Sequence, residues 1–131
     1  MHSRTALSRL WLVSILAALA IGRGGAASAE GDAAEGKKVF KKCAVCHSVE
    51  PAENKVGPSL AGVVGRPAAS VEGFKYSDAM KASGIVWTED KLDAYLVSPK
   101  EVVPDGKMKF AGLKKEDDRR NVIEYLKQLA P

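Results

Sequence analysis

Cysteine and histidine are scarce in this 131-residue chain: two cysteines, Cys43 and Cys46, and two histidines, His2 and His47. A four-ligand zinc site is normally built from paired motifs, and there is no second pair. A disulfide framework is excluded as well. A bridge between Cys43 and Cys46 would close a tiny loop and restrict the unfolded chain little. Period-two alternation is also missing, so no sheet is expected and the class reads as all-α. The sequence contains no internal repeat and no low-complexity tract.

Acidic residues are absent from the first 29 positions. That stretch has Arg4 and Arg9, an apolar run over 10–21 broken only by Ser14, and Ala27-Ser28-Ala29 at its end. A basic start, a short apolar middle and a small-residue finish predict a secretory signal peptide over 1–29. The run is too short for a membrane span, which wants about 20 apolar residues. The expectation is cleavage after Ala29, export to the periplasm and one domain over 30–131. The formal charge is +4, and Arg4, Arg9 and Arg23 leave with the leader, so the domain carries only +1. Nucleic-acid binding, which wants a strongly basic domain, loses its support.

Within the domain, 31–42 reads as a first helix, with Asp32 as cap and Glu35 in capping-box position. Gly36 and Phe40 share a face with Ala33, and the glycine predicts close approach of another helix. A short helix is expected over 76–84. A better one is expected over 87–99, capped by Thr88, stapled by Trp87 onto Leu92 and ended by Pro99. The last helix, 114–130, carries Val122, Leu126 and Leu129 as its stripe. Prolines and glycines leave 48–75 loop-rich, and 100–113 reads as an irregular strap. Loops this long in so small a domain are usual only when functional, and wrapping a ligand would explain them.

The chemistry gathers in "KKCAVCHSVE", residues 41–50. Its C-x-x-C spacing suits a redox disulfide, half a zinc site or a covalent anchor for a large cofactor. A thioredoxin-like pair belongs beside a βαβ pattern, and here a helix precedes and a loop follows. C-x-x-C-H is the attachment motif of c-type haem. Two thiols add across two vinyl groups of one porphyrin, and the adjacent imidazole reaches the iron.

The segments "GDAAEGKKVFKKCAVCH", "VGPSLAGVVGR", "GFKYSDAMKASGIVW", "YLVSPKEVVPDGKMKFAGLKK" and "IEYLKQL" occur in that order. In this the chain resembles class I c-type cytochromes, on the cytochrome c2 and mitochondrial cytochrome c branch, over nearly all of 31–130. The resemblance implies a small cytochrome c fold, a few helices and long loops around one covalently bound haem c. It implies Cys43 and Cys46 as thioether anchors, His47 as proximal ligand and Met108, in the strap, as distal ligand. Met80 stands where relatives often have asparagine and would line the pocket. Pro58 would accept a bond from the imidazole. Arg66, Tyr76 and Trp87 would lie near the propionates, and Tyr95 beside the methionine sulfur. Gly36, Phe40 and Tyr125 would join the terminal helices. Asp105 and Gly106 depart from the family's frequent glycine and threonine, which implies a looser strap.

The resemblance further implies a carrier rather than an enzyme: with both axial positions filled by protein, the iron cannot readily take substrate. A peroxidase would need a distal acid–base group, and no histidine remains for it. The implied role is a soluble, monomeric one-electron shuttle. A cytochrome bc-type complex would be the donor, and a terminal oxidase, photosynthetic reaction centre or peroxidase the acceptor. Lys38, Lys42, Lys55, Lys100, Lys107, Lys114 and Lys115 match positions that ring the haem edge in the family and would steer acidic partners.

Overall fold

The computed structural model describes residues 30–131, and the expected signal peptide lies outside them. Among the described residues five helices follow one another: α1 (Ala33–Phe40), α2 (Asp78–Ala82), α3 (Glu89–Val97), α4 (Pro99–Val102) and α5 (Glu116–Lys127). The described residues contain no named strand, only an isolated antiparallel bridge between Pro67 and Val86.

Asp32 caps α1 by accepting from the Glu35 N–H at 3.0 Å. The reciprocal half of the expected capping box is not made. The Asp32 N–H donates instead to Asn121 Oδ1 at 2.7 Å, while Glu35 pairs with Lys38. The cap thus ties α1 to α5. Gly36 is buried where the two helices meet, and a Cβ there would lie 1.9 Å from the Asn121 carbonyl oxygen. Beyond it the Phe40 and Tyr125 rings pack at 5.2 Å.

Thr88 caps α3 as expected, accepting from the Lys91 N–H. Trp87, Leu92, Tyr95 and Leu96 join Phe40, Val122 and Leu126 in one buried cluster. The helix does not run to Pro99. It stops at Val97 because Ser98 is extended, as the residue before a proline prefers, and Pro99 then opens the short α4. The strap begins after α4. Its far end is pinned by Leu113 N–H donating to the Leu96 carbonyl at 2.7 Å. Arg119, buried on α5, donates to the Leu113 and Lys114 carbonyls and pairs with Asp93 at 2.7 Å. Between these anchors Asp105, not Gly106, takes the left-handed conformation, at φ +64°. Two loops cross at the Pro67–Val86 bridge, reinforced by Trp87 N–H to Arg66 and Ala68 N–H to Ile85.

Candidate functional site: one cavity between two loops

The turns that follow α1 present the cysteine motif. The Ala44 N–H donates to Phe40 and the His47 N–H to Cys43, each at 2.9 Å, so the chain keeps turning and sets Cys43, Cys46 and His47 together. Both thiols are free and half-buried. Burial is the largest influence on the Cys43 thiol and pushes its pKa up.

The His47 ring is aimed from behind. Its Nδ1 lies 2.7 Å from the Pro58 carbonyl oxygen. A carbonyl only accepts, so Nδ1 carries the proton and Nε2 keeps its lone pair. Burial lowers the imidazole pKa, which keeps the ring neutral, although the Pro58 bond works in the other direction. Gly57 makes the approach possible: a Cβ there would sit 2.4 Å from His47 Cε1.

His47 opens onto a cavity of about 260 Å³ that also meets Cys43, Cys46 and Met108. All four residues expected to hold the cofactor therefore face one space, although Met108 comes from the distant strap. Tyr95 donates its hydroxyl to Met108 Sδ at 3.4 Å, within reach for a sulfur acceptor. Burial raises the Tyr95 pKa, so the phenol keeps the proton it donates. Met80 lines the same cavity from α2, but the hydroxyl of Tyr95 goes to Met108.

Arg66 and Tyr76 are among the polar residues of the lining. Arg66 donates to the Ala61 and Ser59 carbonyls at 2.7 and 3.0 Å. Its Nε is buried without a partner. A buried donor without a partner, here on a half-buried cation, is costly unless an acceptor meets it, and burial pulls the guanidinium below its ordinary pKa.

This donor set fits a haem. Two thiols and an imidazole lie on one segment, a thioether lies in the strap, apolar walls surround them, and an unpaired guanidinium N–H can meet a carboxylate. Sequence reasoning missed Gly57, because the His47 ring that forbids a side chain there is not adjacent in the chain. It also missed Lys109, which lines the cavity with Lys42 and Lys107. Of the other lysines of the expected ring, Lys38 pairs with Glu35, which offsets its charge, and Lys55 donates to the neutral Ala44 carbonyl.

Comparison with known proteins points to one family. The family model for cytochrome c matches residues 33–130. Cytochrome c2 of Blastochloris viridis is 52% identical over 104 residues, covering 79% of this chain and 82% of the relative. Cytochrome c2 iso-2 of Magnetospirillum molischianum is 57% identical over 90 residues, covering 69% and 93% respectively. The solved structure of cytochrome cH from Methylobacterium extorquens superposes with a TM-score of 0.71 at 44% identity, covering 74% of this chain and 98% of that one.

Proposed function

This chain belongs to the cytochrome c family, and from that premise we propose that it is a soluble one-electron carrier and not an enzyme. The observation that carries the reading is the convergence of Cys43, Cys46, His47 and Met108 on one cavity. Haem c supplies, when bound, a one-electron iron couple. Cys43 and Cys46 would hold it covalently, while His47 Nε2 and Met108 Sδ would ligate its iron.

The Pro58 carbonyl fixes the tautomer of His47 and raises its basicity. Tyr95 holds Met108 by its sulfur. With both ligands supplied by protein, little rearrangement would be needed on electron gain or loss, and a thioether ligand would favour the ferrous state. Arg66 Nε offers a charged donor to a buried carboxylate. Lys42, Lys107 and Lys109 place positive charge at the cavity, where acidic faces of membrane redox complexes would dock. The donor would be a cytochrome bc-type complex, and the acceptor an oxidase, reaction centre or peroxidase. Export through a cleaved leader over 1–29 would place the carrier in the periplasm.

The test is spectroscopic. The purified ferric protein is expected to show the weak red sulfur-to-iron charge-transfer band at neutral pH. Met108→Ala is expected to abolish it and Met80→Ala to leave it. Absence of the band in the native protein would move the reading to an enzyme or a gas-binding sensor.

A further inference from the structure

The cavity that holds His47 meets two thioethers, those of Met80 and Met108. They are the only methionines of 30–131, and both are half-buried. The proposed carrier uses one of them. The two stand on unlike supports.

The support of Met80 is fixed. It lies in α2, and two serines hold its backbone from both sides. Its N–H donates to Ser77 Oγ at 3.0 Å. Its carbonyl accepts from Ser83 Oγ at 2.8 Å and from the Ser83 N–H at 3.2 Å. Asp78 and Lys81 of the same helix pair in solvent, while Ala79 and Met80 pack on the buried cluster. The support of Met108 is loose. Among the described residues no backbone-to-backbone hydrogen bond reaches 107–112. Asp105, three residues before Met108, holds a left-handed φ of +64°, uncommon for a residue with a side chain. What holds this part of the strap is side-chain bonding: Tyr95 to Met108 Sδ, and Lys107 Nζ to the Lys75 carbonyl at 3.1 Å. A segment with so few backbone bonds opens locally more easily than a helix packed on the core.

We propose that Met80 is a reserve thioether ligand for the ferrous iron. When the strap opens and Met108 leaves, Met80, still anchored on α2, takes its place. The opened carrier then does not become a site for small gas ligands. A thioether favours the ferrous state, so the replacement acts on the reduced protein and the ferric Met108→Ala protein still lacks the red band. The proposal rests on a bound haem c with Met108 as its resting ligand. A methionine that merely fills space could be exchanged for leucine with no change at the iron, and that difference sets the test.

The experiment uses ferrous holoprotein with methyl-labelled methionine. It compares Met108→Ala alone with Met108→Ala combined with Met80→Leu. In Met108→Ala, Met80 is the only methionine left in 30–131, so its methyl resonance assigns itself. The expected spectrum is that of a low-spin, six-coordinate ferrous protein, with this resonance displaced upfield by the porphyrin ring current. With Met80→Leu added, the iron is expected to be five-coordinate and to bind carbon monoxide about tenfold faster or more, because no internal ligand competes. A five-coordinate Met108→Ala protein would overturn the proposal. So would a Met80 methyl at its ordinary position, or equal carbon monoxide rates in the two proteins. If Met108→Ala fails to fold, the same pair built on Met108→Leu, which nearly keeps the volume, decides by the same readings. The ligand reading fails separately, if the ferric parent protein lacks the red band.

Discussion

The imidazole of His47 occupies the place where a side chain at Gly57 would begin. Gly57→Ala must therefore push the ring away from the Pro58 carbonyl or move the loop. Overpacking of this kind costs about 1–3 kcal/mol, and a denaturant titration of the holoprotein is expected to show a loss in that range. The same titration should separate the role of Tyr95. Its phenol donates to Met108 Sδ, and Tyr95→Phe removes one hydrogen bond, typically about 1 kcal/mol. The red charge-transfer band is expected to disappear at lower denaturant in this variant than in wild type, while the native spectrum is kept. Which residues would meet at the cavity was largely legible before the fold was known: the cysteine spacing, the adjacent histidine and the strap methionine all line it. Gly57 was not legible, because it takes its role from a ring that the fold brings near.

Helices were legible through caps and stripes, less so through what lies between them. Asp32, Thr88 and the Val122–Leu126 stripe marked α1, α3 and α5 within a few residues of their ends. α4 was hidden because a proline that stops one helix is also suited to the first turn of the next. Arg119 was hidden in "KKEDDRRN", a run that reads as solvated charge, yet its side chain is only 11% exposed. It joins α5 to α3 and to the end of the strap. Arg119→Ala would leave Asp93 and two carbonyls without this partner, and breaking a buried pair costs about 3–5 kcal/mol. Because Asp93 is partly exposed, a loss of about 2–3 kcal/mol is expected by thermal or chemical unfolding. Two glycines give a sharper contrast, Gly36 inside α1 and Gly84 just beyond α2. Gly36→Ala drives a methyl into the Asn121 carbonyl, so α1 and α5 must separate. A loss of about 3 kcal/mol or more is expected. Gly84 is left-handed at φ +64° but faces open space, so Gly84→Ala is expected to cost only about 1–2 kcal/mol. Equal effects at the two positions would contradict the close approach of the terminal helices.

Charge is distributed unevenly over the whole molecule, and net charge alone conceals this. Lys42, Lys107 and Lys109 line the cavity that holds His47 and Met108. On the other side of α5, away from Val122 and Leu126, a crevice is lined by Glu30, Glu89, Asp90, Asp93, Glu116 and Glu124, with Arg120 and Lys127 among them. There Lys127 is already paired, with Glu89 at 3.0 Å and Glu124 at 2.8 Å. Its charge is therefore largely cancelled where it stands, and it should contribute little to steering a partner. The cavity lysines are different. Lys107 donates to a neutral carbonyl, that of Lys75, so its charge still projects into solvent. Screening decides how far that field reaches: about 30 Å at 0.01 M salt and about 8 Å at 0.15 M. Electron transfer to an acidic redox partner, followed by stopped-flow absorbance, is expected to slow about tenfold or more across that range. At low salt Lys42→Glu and Lys107→Glu are expected to slow it, and Lys127→Gln to leave it near wild type. All three proteins should converge at high salt, because the steering field is then screened while the haem site is unchanged. A flat salt response, or an effect of Lys127→Gln as large as that of Lys107→Glu, would show that docking does not use the face around the cavity.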